Sequence, residues 1–186
     1  MGYAAPILDR TAVFVDAGYV FASGARLLTQ EKLTRSQLHL DHERVLALLV
    51  KLTAELTGLP LLRIYWYDGA SAGPNAAHQA LAYRPNVKLR LGLVNEQGQR
   101  GVDSLLVGDL VRLAQHRALA DALVWTGDDD IRDGVEQAQE LGVRVHLIGI
   151  EPARDNQAAA LVQAADGVRE LSAAEVKGFL SLATRR

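Results

Sequence analysis

The sequence has no cysteine. That excludes disulfide staples and thiolate metal sites, and it fits a chain that works in a reducing compartment. It also lacks an excess of either charge, with 20 Lys and Arg against 22 Asp and Glu and a formal net charge of -2. A nucleic-acid partner would therefore feel no long-range pull, only whatever local basic patch the fold assembles. No apolar run reaches the ~20 residues of a membrane-spanning helix. The opening "MGYAAPILDRTAVFV" has neither the basic start nor the long apolar segment of a secretory signal. The expectation is a cytoplasmic protein with no membrane partner. Repeats, linkers and low-complexity blocks are missing as well. With 49% hydrophobic and 23% charged residues the 186-residue chain has the composition of an ordinary globular protein, and residues 1–186 are expected to form one domain.

What is present is an alternation of two patterns. "TAVFVDA" is short, β-branched and aromatic, and reads as a buried strand over 11–16 that ends in Asp16. "GYVFASGARLLT" follows as a helix. Apolar positions at helical spacing from Val45 to Leu56, opened by Asp41 and closed by Gly58 before Pro60, predict the next helix. A strand over 61–68, a short helix stopped before Pro85, and an edge-like strand "VKLRLGLV" come next, then the turn-prone "NEQGQRG". Helix "VDSLLVGDLVRLAQHRA", strand "ALVWT", helix "DIRDGVEQAQELG" and strand "VRVHLIGI" complete a core of about 11–150. C-terminal helices are expected over 155–184 around a short strand at "GVREL". Strands alternating with helices predict an α/β three-layer sandwich with a mostly parallel sheet.

In such sheets sites form at the carboxyl ends of strands, where the strand order reverses. Asp16 ends the first strand, and Asp128 and Asp130 follow "ALVWT" in "TGDDDIRD". If those two strands are neighbours, their carboxylates meet. Asp103 opens the helix before "ALVWT", and Asp109 lies six residues further on, about 240° around a helix. Both face one place only if Asp103 stands in the non-helical N-cap position, which ranks Asp103 above Asp109. Two carboxylates about 4 Å apart repel by roughly 4 kcal/mol at an effective dielectric near 20. A divalent cation removes that repulsion, and all-oxygen donors favour Mg²⁺ or Mn²⁺ over Zn²⁺. A water on such an ion is acidified and the ion neutralises a phosphodiester in reaction, so hydrolysis is the chemistry that follows. Each acid also has a plainer reading: Asp16 caps the next helix, and Asp128 or Asp130 caps the one after "ALVWT". Asp129 and Asp133 read as solvated, and Gly127 as a tight turn that also lets backbone approach a ligand.

The set "VFVDAGYVF", "RGVDSLLVGDLVRLA" and "ALVWTGDDDIRDGVEQAQELGVRVHLIGI" resembles the NYN domain, the LabA-like branch of the PIN-like nuclease superfamily, over about residues 11–150. The resemblance implies a Rossmann-like (PIN-like) parallel sheet, an acidic Mg²⁺ site and a metal-dependent ribonuclease. By motif match it implies catalytic and metal-binding roles for Asp16, Asp103, Asp128 and Asp130, with Asp109 as a further ligand and the Thr126 hydroxyl near the site. Three positions depart from the family's pattern. Tyr19 stands where Asn is common, Arg100 where Lys often precedes Gly-Val-Asp, and Ile131 where an aromatic often follows the second acid. Arg100 keeps the charge, and Tyr19 offers a face on which a base can stack.

Phosphate needs cations beside the acids. Arg100, Arg132 and Arg26 are the candidates, with Arg84, Lys88 and Arg90 as a looser group that reads more simply as surface charge. His78 and His116 read as solvated helix residues, and Tyr65, Trp66 and Tyr67 as strand packing. The expected function is hydrolysis of RNA, single-stranded, with Mg²⁺ or Mn²⁺ as cofactor, in a protein that forms a closed homodimer. A non-catalytic RNA- or protein-binding module stays open beside it. A metal-dependent phosphatase fits less well, because "DAGY" lacks a second acid two positions after Asp16.

Overall fold

Five consecutive buried residues and one half-buried acid make up β1 (Thr11–Asp16). A run that is apolar on both faces is stable only inside a sheet covered on both sides. In the computed structural model, which describes residues 9–70, 73–95 and 98–183 and the backbone alone over 93–95 and 98–100, that is where it lies. After β1 the chain forms α1 (Ala17–Thr29), β2 (Leu38–Leu40), α2 (His42–Thr57), β3 (Leu61–Ala70), α3 (Ala76–Ala82), β4 (Val87–Asn95) and β5 (Gly98–Arg100). It continues through α4 (Val102–Gln115), β6 (Asp121–Trp125), α5 (Arg132–Glu140), β7 (Arg144–Ile150), α6 (Ala159–Ala164), β8 (Gly167–Leu171), α7 (Ala173–Phe179) and β9 (Leu180–Leu182).

The main sheet has the order β5-β4-β3-β1-β6-β7-β8. All neighbours are parallel except β5, which adds antiparallel to β4. From β1 the chain builds outward through β3 and β4, then returns to lay β6 against the other side of β1. The order therefore reverses between β1 and β6. Val15 pairs with Trp125 in that register, so Asp16 and Thr126 emerge side by side at the carboxyl edge.

Helices cover both faces and make three layers. On one face, Val20, Leu49, Leu52, Phe179 and Leu180 pack on Trp66 and Trp125. On the other, Leu106, Leu110, Val135 and Leu161 pack on Phe14, Tyr67 and Leu147. Fully burying each such side chain contributes about 1.5–3 kcal/mol. The caps of α2 are the expected ones: Asp41 accepts from Arg44 N at 3.1 Å, and Gly58 closes the helix at φ 66°. No described helix is long and apolar enough to cross a membrane.

Several expectations are corrected. "VKLRLGLV" is not the outermost strand, because the turn-prone segment after it folds back as β5. The helix expected over 172–183 stops at Phe179, and Leu180–Leu182 pair antiparallel with Leu38–Leu40 as a separate two-stranded sheet. Edge pairing of both short strands outweighs one more helical turn there. The helix expected from Asp155 begins at Ala159, since Asn156 and Gln157 spend their side chains on the ends of β6 and β7. Asp103 is the second helical residue of α4, not its N-cap; Gly101 holds that position in the left-handed region at φ 97°.

Candidate functional site

At the reversal point the chain builds an open cavity of about 560 Å³, lined by residues of α1, by Asp16 and Asp103, by Gly127 to Asp129 and by Asn156. Asp103, Asp128 and Asp130 each bring a carboxylate oxygen to within 4.8 Å of the others. Asp16 lines the same cavity and is close enough for its charge to act on Asp103.

The capping readings of these acids hold as well, without displacing the cluster. Asp16 Oδ1 accepts from Tyr19 N at 3.3 Å and caps α1. Its Oδ2 accepts from the Thr126 hydroxyl at 3.2 Å. Asp128 Oδ1 accepts from Asp130 N at 3.0 Å and caps the turn that leads into α5. Both oxygens of Asp16 and one of Asp128 thus accept an orienting hydrogen bond, and each carboxylate oxygen has further acceptor capacity. Thr126, fully buried, is not a substrate contact. Its hydroxyl serves Asp16 and also accepts from Asp128 N at 3.3 Å, locking two strand-end acids together.

Electrostatics records the crowding. Burial, then the charges of Asp128, Asp16 and Asp130, push the Asp103 carboxyl up to about 6. Asp16 is also raised, chiefly by burial, although the hydrogen bonds from Tyr19 and Thr126 work against the shift. Acids held above their ordinary range in a cleft are poised to exchange protons for a cation. The donor set fits a hard cation. With Mg–O near 2.1 Å, opposite ligand oxygens lie about 4.2 Å apart, and the exposed carboxylates of Asp128 and Asp130 are free to close the remaining gap.

Other expected residues lie elsewhere. Asp109 does not join the cluster. It is 5% exposed and its oxygens accept from Arg90 Nε at 2.8 Å, Arg112 Nη1 at 3.0 Å and the Tyr67 hydroxyl at 3.0 Å. As the eighth residue of α4, it is carried to a different face from Asp103. Tyr19 is no stacking platform: it is 8% exposed, its hydroxyl accepts from Ile150 N at 3.2 Å and donates to Asn156 Oδ1, and burial pushes it up to about 12. Arg132 turns to its own helix and the turn before it, at 3.6 Å from Asp129, 3.8 Å from Asp133 and 3.9 Å from Glu136. Arg26 is exposed and lines a smaller cavity of about 200 Å³ that shares Ser23 and Asn156 with the acidic one. The Arg100 side chain lies outside the described residues, although its backbone ends β5.

Sequence reasoning missed Ser23 and Asn156. Asn156 donates from Nδ2 to Ile150 O at 2.8 Å and Pro152 O at 3.0 Å, and so folds the segment after β7 against the cavity. The rule that pointed to the ends of β1 and β6 would have found it if carried on to the end of β7. Gly127 fits that wall closely: a Cβ there would stand 2.1 Å from Asn156 O and 2.6 Å from the Tyr19 ring.

Comparison with known proteins agrees with this architecture. A curated relative, the uncharacterized protein y4oD of Sinorhizobium fredii, is 50% identical over 109 residues, covering 58% of this chain and 51% of the relative. The chain thus spans about half the length of that relative. A crystal structure of VPA0982 from Vibrio parahaemolyticus, a protein of unknown function, superposes with a TM-score of 0.62 at 16% identity, over 95% of this chain and 99% of the other, and so shares the fold. The family model of the NYN domain matches residues 10–172, from the first residues of the described chain through β8 and into the turn that caps α7, and this protein belongs to that family.

Proposed function

We propose that this protein is a metal-dependent ribonuclease of the LabA-like branch, hydrolysing phosphodiester bonds in single-stranded RNA with Mg²⁺ or Mn²⁺. The observation that carries the reading is the convergence of Asp103, Asp128 and Asp130, from two separate segments, at the point where the strand order reverses. Asp16 would complete the set from β1. A bound cation would neutralise charge on the phosphodiester and acidify the attacking water. Asp103, held at about 6, would be one of the ligands, and a cation beside it would favour its ionised form. Asp16, fixed by Tyr19 N and the Thr126 hydroxyl, keeps one orientation and is suited to aligning the nucleophile. Asp109 is not in this set, because its carboxylate is already shared between two guanidinium groups. Arg100 and Arg26 are the proposed phosphate contacts, since neither Arg nor Lys lines the acidic cavity among the described residues. We place the enzyme in the cytoplasm, as a homodimer that light scattering would detect.

The test is cleavage of end-labelled single-stranded RNA with Mn²⁺, Mg²⁺ or EDTA. Cleavage that needs metal and disappears in Asp128→Asn supports the reading. Specific Mn²⁺ uptake without cleavage favours the non-catalytic module. Cleavage that persists in Asp128→Asn, or no uptake at all, overturns the proposed site.

A further inference from the structure

A second cavity, of about 360 Å³, lies beyond the carboxyl end of β3 between α1, β2, α2 and α3. Its floor is Asp68, 4% exposed. Asp68 Oδ1 accepts from Gly69 N at 2.7 Å and from the Arg35 guanidinium, and Oδ2 faces His78 Nε2 at 2.9 Å. His78 Nδ1 accepts from Asn75 N at 3.2 Å, which assigns the remaining ring proton to Nε2 and makes it the donor to Asp68. The one acid among the described residues of the cavity is therefore neutralised by Arg35 and supplied with three donors. Nothing about it invites a cation.

What the cavity still offers is donors. The Arg35 side chain is 40% exposed, lies over the Phe21 ring at 4.8 Å and spends one nitrogen on Asp68, so the rest of its planar fork is available. His39 stands exposed at the rim. His42 is half-buried, set edge-on to Trp66 with ring centroids 5.7 Å apart, and its imidazole hydrogen-bonds no described residue. The rest of the lining is mostly apolar, with the half-buried Phe21 and exposed Ala77 beside the buried Leu38, Leu40 and Leu81. A site with unspent donors, an otherwise mostly apolar lining and a volume in the range of ligand pockets suits an anion of several oxygens carried on a less polar body.

We propose that this cavity binds the phosphomonoester of a nucleotide, with Arg35, His39 and His42 on the phosphate and the nucleoside against the apolar part of the lining around Phe21 and Ala77. The chemistry is shared by a free mononucleotide and by the 5′-phosphorylated end of a strand. It does not rest on the hydrolase reading, because no group of the acidic cavity takes part.

The experiment is calorimetric titration of the full chain, in EDTA, with adenosine 5′-monophosphate and with adenosine. The monophosphate is expected to bind and the nucleoside to bind at least about tenfold more weakly, the scale of one or two charge-assisted hydrogen bonds. His39→Ala with His42→Phe, which keeps a ring against Trp66 and leaves the Arg35–Asp68 pair intact, should weaken the monophosphate by about the same factor. Asp128→Asn should not. A 5′-phosphorylated oligonucleotide, compared with its 5′-hydroxyl form, separates the two sources: a phosphate-dependent gain that the double variant removes identifies a strand end, and binding confined to the monophosphate identifies a free nucleotide. Equal binding of nucleotide and nucleoside, or equal binding by wild type and the double variant, overturns the proposal.

Discussion

The Thr126 hydroxyl donates to Asp16 Oδ2 at 3.2 Å across the β1–β6 boundary, and the Thr126 Oγ1 atom accepts from Asp128 N at 3.3 Å. One buried hydroxyl thus sets the orientation of two acids from different strands. Thr126→Val keeps the shape and removes both contacts. It is expected to cost about 1–3 kcal/mol of stability, as a buried amide and a carboxylate lose a partner. Mn²⁺ affinity should fall by about tenfold or more, the usual effect of losing a group that orients a ligand. Urea unfolding and Mn²⁺ titration of the same variant measure the two effects.

The contribution of Asp103 to stability without metal should fall as pH rises. Asp103 is held at about 6 in the fold and returns to an ordinary value near 3.8 when the chain unfolds. The folded chain then binds the proton more tightly, so stability is greatest below the lower value and is lost through the interval up to the higher one. Asp16, also raised, contributes in the same direction. Thermal unfolding in EDTA from about pH 4 to about pH 8 should show wild type losing stability relative to Asp103→Asn as pH rises, whatever the opposing slope of His42, whose pKa burial lowers. An equal slope in wild type and variant would contradict the assignment.

Gly127→Ala should be destabilising although alanine is the smallest possible addition. Its Cβ would meet Asn156 O at 2.1 Å and the Tyr19 ring at 2.6 Å, so the wall of the acidic cavity has to move. The expected cost is about 1–3 kcal/mol. Weaker Mn²⁺ uptake should accompany it, and a variant as stable as wild type would show that the segment after β7 yields easily.

Asp109 and Asp103 belong to one helix and should behave oppositely. Asp109→Ala leaves Arg90, Arg112 and Tyr67 without their shared carboxylate, and is expected to destabilise by about 3 kcal/mol while Mn²⁺ uptake persists. Asp103→Ala should leave stability unchanged or higher and weaken uptake. Chemical unfolding beside metal titration distinguishes a structural acid from a ligand.

The contrast between those two acids shows how far residue patterns carry. The alternation of apolar runs was sufficient for the layered sheet, and the acid at the end of "TAVFVD" marked the site because strand ends collect at the reversal point. The spacing of Asp103 and Asp109 ranked the first above the second but left both as ligands, on an N-cap geometry for Asp103 that the helix does not have. The side-chain allegiances were not legible. That Tyr19 is pulled under the end of β7, or that Arg90 claims Asp109, depends on strands whose neighbours are distant in the chain. The pairing of Leu38–Leu40 with Leu180–Leu182 is the extreme case, since neither three-residue segment carries a period of its own.

That small pairing governs the order in which the molecule can be finished. Asp41 N donates to Phe179 O at 2.8 Å and Ala183 N donates to Gln37 O at 2.8 Å, and Leu180 lies directly against Gly24 of the helix that Asp16 caps. Every acid of the acidic cavity precedes, in chain order, the segment that pins the first helix from outside. The contact that covers the outer flank of that helix therefore joins two segments about 155 residues apart, and it lies away from the acid that caps it.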